Sequence, residues 1–218
     1  METEYIKKMA EKRDREASQY EKWYKSNHPQ KEYDEEVKSI IEAVNPQPND
    51  LILDVGAGTG QFSEIIAAKC RHLVALDNSQ KSIEEIDLHN SSKGNITAHV
   101  HDITHPIPRI AAFDKAFSTQ VIQHIPSHEL RIAALRNIRD ALKQGGELVC
   151  EMFDYNSKKW IMRRIKDFKP FKKEEVLEDY YCHYFTADEF LKLLKEAGFS
   201  ENYIIYKKNG FFISRSVK

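Results

Sequence analysis

The chain has 218 residues, with 33 basic and 34 acidic side chains and a formal net charge of −1 at pH 7. Its length favours one domain with a substantial core, and its balanced charge excludes a strongly basic nucleic-acid binder or an acidic disordered tail as a description of the whole chain. No apolar run approaches the ~20 residues of a membrane span, and the amino terminus lacks the apolar stretch of a signal peptide. Three widely spaced cysteines indicate reduced thiols, so we expect a cytoplasmic protein.

Two polar helices are predicted at the start of the chain, over residues 3–27 and 31–44, with a break at Asn27-His28-Pro29. In the first helix, one face carries three aromatic residues, Tyr20, Trp23 and Tyr24. In the second, apolar residues recur at helical spacing, namely Val37, Ile40, Ile41 and Val44.

From residue 51 onward, apolar strands alternate with helices. Helices are predicted near 60–69, 80–90, 127–143 and 187–197, and strands over 51–55, 72–76, 96–100, 113–118, 147–153, 203–206 and 211–217. This alternation predicts an α/β fold, a doubly wound and mostly parallel sheet of seven strands with helices on both faces. The last two strands are joined only by residues 207–210, too few for a crossover helix, so they are predicted to form an antiparallel C-terminal hairpin at an edge.

The strand over 51–55 runs into a glycine-rich turn, Asp54-Val55-Gly56-Ala57-Gly58-Thr59-Gly60-Gln61. Glycine permits a sharp turn and a close approach of a ligand to the backbone, and the N–H groups at the start of the following helix suit a carboxylate or a phosphate. A dinucleotide-binding loop needs GxGxxG, but the third glycine position is occupied by Gln61 or Ser63, depending on which glycine starts the count. The loop instead reads DxGxGxG, which disfavours a nicotinamide oxidoreductase.

This loop and the segments that follow it resemble, in order, the motifs of the class I S-adenosylmethionine (SAM)-dependent methyltransferases. The resemblance covers roughly residues 35–218 and includes FDKAFSTQVIQHI at 113–125 and LRNIRDALKQGGE at 135–147. It implies a Rossmann-like fold, SAM as cofactor and S-adenosylhomocysteine (SAH) as product. It also implies an N-terminal helical lid over 1–45 and a methyltransferase domain over 46–218, with a basic helical insert near 156–180.

The resemblance assigns the cofactor to residues that follow the strands. Asp77 would accept hydrogen bonds from both ribose hydroxyls through its two carboxylate oxygens, while Asp102 and the backbone of Ile103 would read the adenine. Asp54 either holds the loop amides or also reaches toward the methionine ammonium. The expected cofactor-binding residues are Tyr20, Asp54, Gly56, Ala57, Gly58, Gly60, Asp77, Asn78, Asp102, Ile103, Thr119 and His124.

Methyl transfer from a sulfonium is an in-line displacement, so catalysis can rest on holding the acceptor and the methyl group in line. A base is needed only if the acceptor carries a proton. His124, after the fourth strand, is the first candidate base, with a positioning role as the alternative. His183 is the second candidate, on one strand face with Tyr181 and Phe185; that face either walls the acceptor pocket or is a core strand with a satisfied histidine.

The expected substrate-binding residues are Tyr24, Glu151, Tyr181 and Tyr184. Glu151, together with Asp154 near the end of the fifth strand, either orients an amine acceptor or is a solvated loop acid. The aromatic face around Trp23 either covers the cofactor and attracts its sulfonium or packs as an ordinary helix stripe.

Residues 158–173 hold eight basic residues and one acid, Asp167, for a local charge of +7. On a helix, one face would carry Trp160, Ile161, Ile165 and Phe168, which predicts a basic amphipathic helix. Such a helix could bind an anionic acceptor, a membrane surface or RNA, or could be a solvated lid, since four acids follow between 174 and 179.

A metal site is not predicted, because no cysteine or matching histidine pair completes the cluster of His99, His101 and His105. The segment after the fourth strand lacks the Asn/Asp-Pro-Pro-aromatic and Pro-Cys signatures of base methylation, which favours a small acceptor methylated on oxygen or nitrogen, without DNA as a partner. The alternatives are an RNA or protein methyltransferase that docks through residues 158–173 and a cofactor-binding subunit without activity. The protein is expected to be a monomer or homodimer.

Overall fold

The computed structural model describes residues 2–27, 29–90, 94–108, 113–167 and 171–218, with the backbone alone described at 2–3, 20–25, 27 and 90. The helices within these ranges are α1 (Glu2–Asn27), α2 (Gln30–Val44), α3 (Gln61–Ala67), α4 (Gln80–Asn90), α5 (His128–Ala141), α6 (Lys158–Lys166) and α7 (Ala187–Glu196). The strands are β1 (Leu51–Val55), β2 (His72–Asp77), β3 (Ile96–Val100), β4 (Phe113–Thr119), β5 (Leu142–Phe153), β6 (Glu174–Leu177), β7 (Tyr180–His183), β8 (Glu201–Lys208) and β9 (Phe211–Val217). A single 3₁₀ turn, Ile122–His124, lies between β4 and α5.

The main sheet has seven strands in the order β3-β2-β1-β4-β5-β9-β8. The first five strands of the chain pair in parallel, whereas β9 runs antiparallel to both β5 and β8. This confirms the predicted mostly parallel sheet and its C-terminal hairpin, which turns through Asn209 and Gly210 at positive φ. The strand order reverses between β1 and β4, and such a switch point opens a crevice beyond the carboxyl ends of the two strands.

Strand side chains alternate and build one core on each face of the sheet. In β1, for example, Leu53 and Val55 belong to one core and Ile52 belongs to the other. Helices α5 and α7 close the first core, and α2, α3 and α4 close the second. Burial of each large apolar side chain contributes about 1.5–3 kcal/mol. The second helix of the predicted lid, α2, is therefore part of the main core through Ile40 and Val44.

The insert between β5 and α7 differs from the sequence prediction. The helix predicted over 158–173 ends at Lys166, and the acidic segment after it forms β6, which pairs with β7. Hydrogen bonds hold the two acids of β6: the hydroxyl of Tyr184 donates to Glu175 Oε2 and the hydroxyl of Tyr181 donates to Glu174 Oε1, both at 2.8 Å. Local composition does not reveal these partners, so the segment resembled a solvated lid.

The predicted apolar face of the insert helix is also divided. Trp160 lies inside, but Ile165 is 54% exposed, and Phe168 lies outside the described residues. The guanidinium of Arg164 packs against the rings of both Trp160 and Tyr184, at 4.7 and 5.2 Å from the ring centroids, and the two rings also contact each other. This packing turns Trp160 and Arg164 inward and leaves Ile165 on the outer side of α6.

Helix α1 lies across the carboxyl edge of the sheet and contacts two different parts of the fold. At one side, Asp14 Oδ1 accepts hydrogen bonds from Ser79 Oγ (2.6 Å) and from the backbone N–H of Lys81 (3.0 Å), at the start of α4. At the other side, Arg15 pairs with Asp179 in the turn between β6 and β7 at 3.1 Å. The helix therefore bridges the α4 region and the insert, above the crevice.

Candidate cofactor and acceptor site

A cavity of about 820 Å³ lies at the switch point, beneath α1. One end is formed by the loops after β1, β2 and β3, and the other end by α6, the β6–β7 hairpin and the β8–β9 turn. The predicted site residues that line it are Gly56, Ala57, Gly58, Asp77, Asn78, Asp102, Ile103, Thr119, His124 and Tyr184. The structure thus brings most of the predicted residues to one space.

The glycine loop after β1 is held in a conformation that a side chain would disrupt. Gly56 has φ +73°, and a Cβ there would lie 2.2 Å from Val121 Cγ2. Gly58 has φ +54°, but a Cβ there would meet no heavy atom within 4 Å, because this residue borders the open cavity. The loop thus packs tightly on its protein side and leaves its ligand side free.

Asp54 lies under the loop, 2% exposed, and accepts a hydrogen bond from Ser63 Oγ at 2.5 Å. Burial raises the pKa of this carboxyl to about 7, the Ser63 bond opposes that rise, and the negative charge of Asp77 adds to it. Among the described residues, Asp54 is not one that lines the cavity. Its contact to Ser63 braces the start of α3 from beneath the loop.

Two acids stand at the ends of neighbouring strands. The carboxylate of Asp77 accepts from the backbone N–H of Gly58 (2.8 Å) and of Ser79 (2.9 Å). Burial raises its pKa, and these two N–H groups and the Arg13 charge oppose the rise. Asp102, after β3, accepts from the N–H and hydroxyl of Thr104 at 2.9 and 2.8 Å. Both acids line the cavity with oxygen acceptors fixed by backbone contacts.

These residues fit the cofactor that the loop pattern implies. The ribose and adenine of SAM carry hydrogen-bond donors, which suit the two acids, and its methionine carboxylate suits loop N–H groups. One further donor was not foreseen: Gln61 lines the cavity, and its Nε2 is buried without a hydrogen-bond partner. A buried donor left unpaired in a native fold calls for a partner, and a bound carboxylate would supply one.

His124 lies at the end of the 3₁₀ turn and lines the cavity. Its Nδ1 is 2.7 Å from the carbonyl oxygen of Tyr181, which can only accept, so Nδ1 carries the proton and Nε2 is left as the acceptor. Burial, and then the charges of Arg13 and Lys12, lower the pKa of the imidazole to about 4, against the effect of the Tyr181 bond. His124 is therefore neutral at pH 7, and its Nε2 is available to accept a hydrogen bond.

A buried pair of carboxyl groups, missed by the sequence prediction, stands beside the end of β4. Gln120 Nε2 lies 3.3 Å from Glu36 Oε1 and 3.4 Å from Glu151 Oε2. Glu36 and Gln120 line the cavity, whereas Glu151, 2% exposed, lies behind them. Burial and the neighbouring Glu36 carboxyl raise the pKa of Glu151 well above its usual range, because two carboxylates this close cannot both ionise easily.

One sequence signal could have pointed to this pair. Glu36 lies four residues before Ile40, so it shares the helix face that α2 buries, and a charged residue in line with an apolar stripe is unusual. A second indication of a functional site is visible only in the structure. Gln120, between the two acids, has φ +59°, a backbone conformation that non-glycine residues adopt at a cost.

Aromatic rings wall the end of the cavity that α6 and the β6–β7 hairpin form. The Phe153 ring is stacked on Phe211 (centroids 5.3 Å apart) and lies 6.2 Å from Tyr184, whose ring is 5.4 Å from Trp160. All four rings line the cavity. Tyr184, a predicted substrate-binding residue, therefore lies in an aromatic wall, with the Arg164–Glu175 ion pair (3.7 Å) at its edge.

Two predicted residues lie on the other side of β7. Tyr181, 4% exposed, accepts from Arg131 Nη2 at 2.5 Å. The ring of His183 lies between Glu174 (3.3 Å) and Glu189 (3.1 Å). Neither residue is among those that line the cavity. The assignments of His183 as a base and of Tyr181 to the substrate are therefore corrected. Strand alternation places Tyr180 and Tyr184 toward the cavity, while the face of Tyr181 and His183 packs inside.

The remaining predictions lie around or outside this site. Gly60 begins α3 and is not a lining residue, and Asp154 is buried against Lys207 Nζ at 3.1 Å. Tyr20, Trp23 and Tyr24 belong to α1, but their side chains lie outside the described residues. Over the described part of the chain, no three His, Cys, Asp or Glu side chains are grouped so as to hold a metal ion.

A sheet with this strand order, a DxGxGxG loop after β1 and acids after β2 and β3 defines the class I, Rossmann-like methyltransferase architecture. The chain belongs to the methyltransferase domain family, whose sequence profile matches residues 24–201.

Individual relatives agree with this membership. Over 170 residues the chain is 27% identical to the ubiquinone biosynthesis O-methyltransferase of Dinoroseobacter shibae, covering 77% of this chain and 65% of that relative's length. The fold is similar to that of DhpI in its complex with SAH (TM-score 0.72, 16% identity, 97% of this chain and 95% of the other). It is also similar to the N-methyltransferase NodS of Bradyrhizobium japonicum in complex with SAH (TM-score 0.69, 17% identity, 96% and 97%).

Proposed function

We propose that this protein is an enzyme that transfers the methyl group of SAM to an oxygen or a nitrogen of a small-molecule acceptor. The observation that carries the proposal is the single cavity that joins the glycine loop and Asp77 to the aromatic wall beneath α1. Its volume, about 820 Å³, falls within the range of small-molecule and cofactor sites. The relatives' names support both acceptor atoms, since one is an O-methyltransferase and another an N-methyltransferase.

The cofactor is assigned to the end of the cavity with fixed polar groups. We assign the ribose hydroxyls to Asp77, the adenine to Asp102 and the backbone of Ile103, and the methionine carboxylate to the loop N–H groups and Gln61. When bound, SAM supplies a methyl group on a positively charged sulfur. Asn78 and Thr119, which line the same space, complete this assignment.

The acceptor is assigned to the aromatic end, where the chain's own residues hold and desolvate it. The Phe153, Trp160 and Tyr184 rings would orient an apolar or planar acceptor and exclude water. His124 Nε2 would accept a hydrogen bond from the acceptor atom, a positioning role that its low pKa favours over that of a general base. We propose that Glu151 acts through Gln120 and Glu36, because those two residues stand between it and the cavity.

Helix α1 is proposed to be the lid of this site, within the N-terminal region 1–45. Its contacts to Ser79 and Asp179 hold it above the cavity, so its movement would admit cofactor and acceptor. A roof at this place favours a small acceptor over a folded RNA or protein, which would need an open groove.

Cofactor binding is tested by calorimetric titration of SAH and, separately, NADH. Wild type is expected to bind SAH and not NADH, and Asp77→Ala is expected to weaken SAH binding about 10- to 150-fold, which corresponds to the loss of a charged hydrogen bond of about 1.5–3 kcal/mol. The control is Asp87→Ala, which removes an exposed acid from α4 and should leave SAH affinity unchanged. Binding of NADH, or equal effects of the two substitutions, would contradict the assignment.

Methyl transfer is tested with labelled SAM and a panel of small phenols and amines. An acceptor-dependent signal that falls in His124→Ala, with SAH affinity retained, would support the proposal. Tight SAH binding with no methyl loss to any acceptor or to water would instead indicate a cofactor-binding subunit. Equal loss of turnover and of SAH affinity would contradict an acceptor-side role for His124.

A further inference from the structure

Exposed apolar side chains are concentrated in one segment of the chain. Among the described residues, nine large hydrophobic side chains are exposed, and five of them lie within residues 162–177. These five are Met162, Ile165, Phe171, Val176 and Leu177, each more than half exposed. Single exposed hydrophobics are ordinary, but a group of them marks an interaction surface.

Two of the five share one side of α6 with basic residues. Lys158, Met162 and Lys166 are spaced by four residues, and Ile165 lies beside them, so these four side chains form one stripe along the helix. All four are exposed, whereas Trp160 and Arg164 point inward on the opposite side. We call this stripe the outer face of α6. Met162, Ile165 and Lys166 also line a shallow surface depression.

The surroundings of this face are positively charged. Arg163 is 79% exposed and lies 3.9 Å from Asp167, its acidic neighbour on the same helix. Lys172, after the helix, is also exposed, and the acid nearest to it in the next strand, Glu174, is engaged by Tyr181 and His183. Glu178 is the further exposed acid in the β6–β7 turn. The exposed cations therefore outnumber the exposed acids around two aliphatic side chains.

We propose that the outer face of α6 docks this protein on an anionic lipid surface. A short helix with aliphatic residues in the centre and lysines on both sides has the composition of an interfacial helix. Its apolar side chains would enter the boundary between headgroups and acyl chains, and its lysines would meet anionic headgroups. The protein would lie on the surface without spanning it; no helix in the described part of the chain is long and apolar enough to cross a membrane.

Two other occupants fit the face less well. A single-stranded nucleic acid is bound through aromatic platforms on which bases stack, but the central residues here are Met162 and Ile165, and Trp160 points inward. A second copy of this chain, seated face to face, would bring like charges together, which disfavours association. An anionic lipid surface satisfies both the aliphatic centre and the positive flanks.

Docking in this way has a consequence for the cavity. The inner side of α6, with Trp160 and Arg164, lines the acceptor end, so a docked molecule would hold that end close to the lipid. The proposal does not depend on the identity of the acceptor or on methyl transfer, because the four side chains of the outer face do not line the cavity.

The proposal is tested by co-sedimentation of the full chain with large unilamellar vesicles. One set contains phosphatidylcholine alone and the other contains phosphatidylglycerol as well. Wild type is expected to bind the anionic vesicles, to bind neutral vesicles much more weakly, and to dissociate as salt is raised. Met162→Ser/Ile165→Ser is expected to lower the partition coefficient about tenfold or more. Lys158→Gln/Lys166→Gln is expected to do the same.

Matched controls distinguish this face from any other. Leu88→Ser/Val100→Ser removes two exposed apolar residues elsewhere, and Lys192→Gln/Lys195→Gln removes two exposed lysines from α7; both should bind vesicles like wild type. Circular dichroism and SAH titration show that each variant is folded.

Three results would overturn the proposal. The first is failure of wild type to bind anionic vesicles, and the second is an equal loss in the control variants. The third is that the face serves another partner, seen as binding to labelled oligouridylate, or as self-association in light scattering, that only the α6 variants lose. None of these results bears on cofactor binding, so methyl transfer is judged separately.

Discussion

The two ends of the cavity are built in different ways. The cofactor end consists of loops that leave β1, β2 and β3, whose parallel pairing fixes where the glycine loop, Asp77 and Asp102 stand. The acceptor end combines Phe153 and Phe211, at the ends of β5 and β9, with α1, α6 and the β6–β7 hairpin, which lie outside the seven-stranded sheet. The first end therefore shares the stability of the core, whereas the second depends on side-chain contacts between separate segments. Substitutions in the packed part of the glycine loop should therefore lower the free energy of unfolding, and those at the second end should change mainly acceptor binding.

The largest effect is expected from the glycine loop. Gly56→Ala should lower the free energy of unfolding by about 2–6 kcal/mol, because it adds left-handed backbone strain and a clash with Val121. Gly58→Ala, with positive φ but open space around it, should cost only about 1–2 kcal/mol. Denaturant unfolding measures both, and Val121→Ala should partly rescue Gly56→Ala. Equal costs at the two glycines would contradict the tight packing of the loop.

A smaller effect, with a defined pH dependence, is expected at Asp54. The folded-state pKa is raised to about 7 from 3.8, so between these pH values the folded protein keeps a proton that the unfolded chain has lost. Wild type should therefore lose up to about 4 kcal/mol of stability as pH rises from about 4 to about 7. Asp54→Asn still accepts from Ser63 but does not titrate, so its stability relative to wild type should rise over this window. Parallel profiles of stability against pH for wild type and Asp54→Asn would contradict a raised pKa at Asp54.

His124 should change the stability with pH in the opposite direction to Asp54. Its folded-state pKa is lowered from 6.5 to about 4, so as pH falls through this window the unfolded chain binds a proton that the folded protein does not. Wild type should lose about 2 kcal/mol of stability between pH 7 and about pH 5 through this residue. His124→Gln keeps a donor for the Tyr181 carbonyl and should lack that loss. Thermal unfolding at both pH values checks this, and an unchanged slope would contradict the buried neutral imidazole.

The smallest effects are expected at the contacts of α1. Asp14→Ala removes the acceptor for Ser79 and Lys81 and should cost about 0.5–2 kcal/mol, the usual value of a helix cap. Asp179→Ala breaks a half-exposed ion pair and should cost at most about 1 kcal/mol. Limited proteolysis within α1 should be faster in both, together with a higher acceptor KM. A stability loss as large as that of Gly56→Ala would show that α1 belongs to the core and would end the distinction between the two ends.

The features that could be predicted depend on neighbours in sequence. Short apolar runs between helical segments defined the strands, the spacing of Gly56, Gly58 and Gly60 defined the loop, and the short 207–210 connection required a hairpin. Asp77 and Asp102 were predictable because they follow parallel strands, whose carboxyl ends meet at one edge of the sheet. His124 was predictable for the same reason, although its neutral state was not.

The features that were missed depend on contacts between distant segments. Glu36 meets Gln120 and Glu151 only after α2 has packed on the sheet. His183 turned out to pair with Glu174 and Glu189, because strand alternation states which residues share a face but not which face meets the cavity. Arg164, Trp160 and Tyr184 pack together on the inner side of α6, which placed Ile165 outside.

The sequence by itself determined the α/β class, the cofactor loop and the strand-end acids, because these follow from local periodicity, turn chemistry and the geometry of parallel strands. Only the tertiary structure decided which side of β7 faces the cavity, how α6 is rotated and that a buried carboxyl pair stands at the end of β4. The physical reason is that packing and desolvation act between residues far apart in the chain. The free energy of the whole folded chain therefore determines which face of a strand or helix is buried.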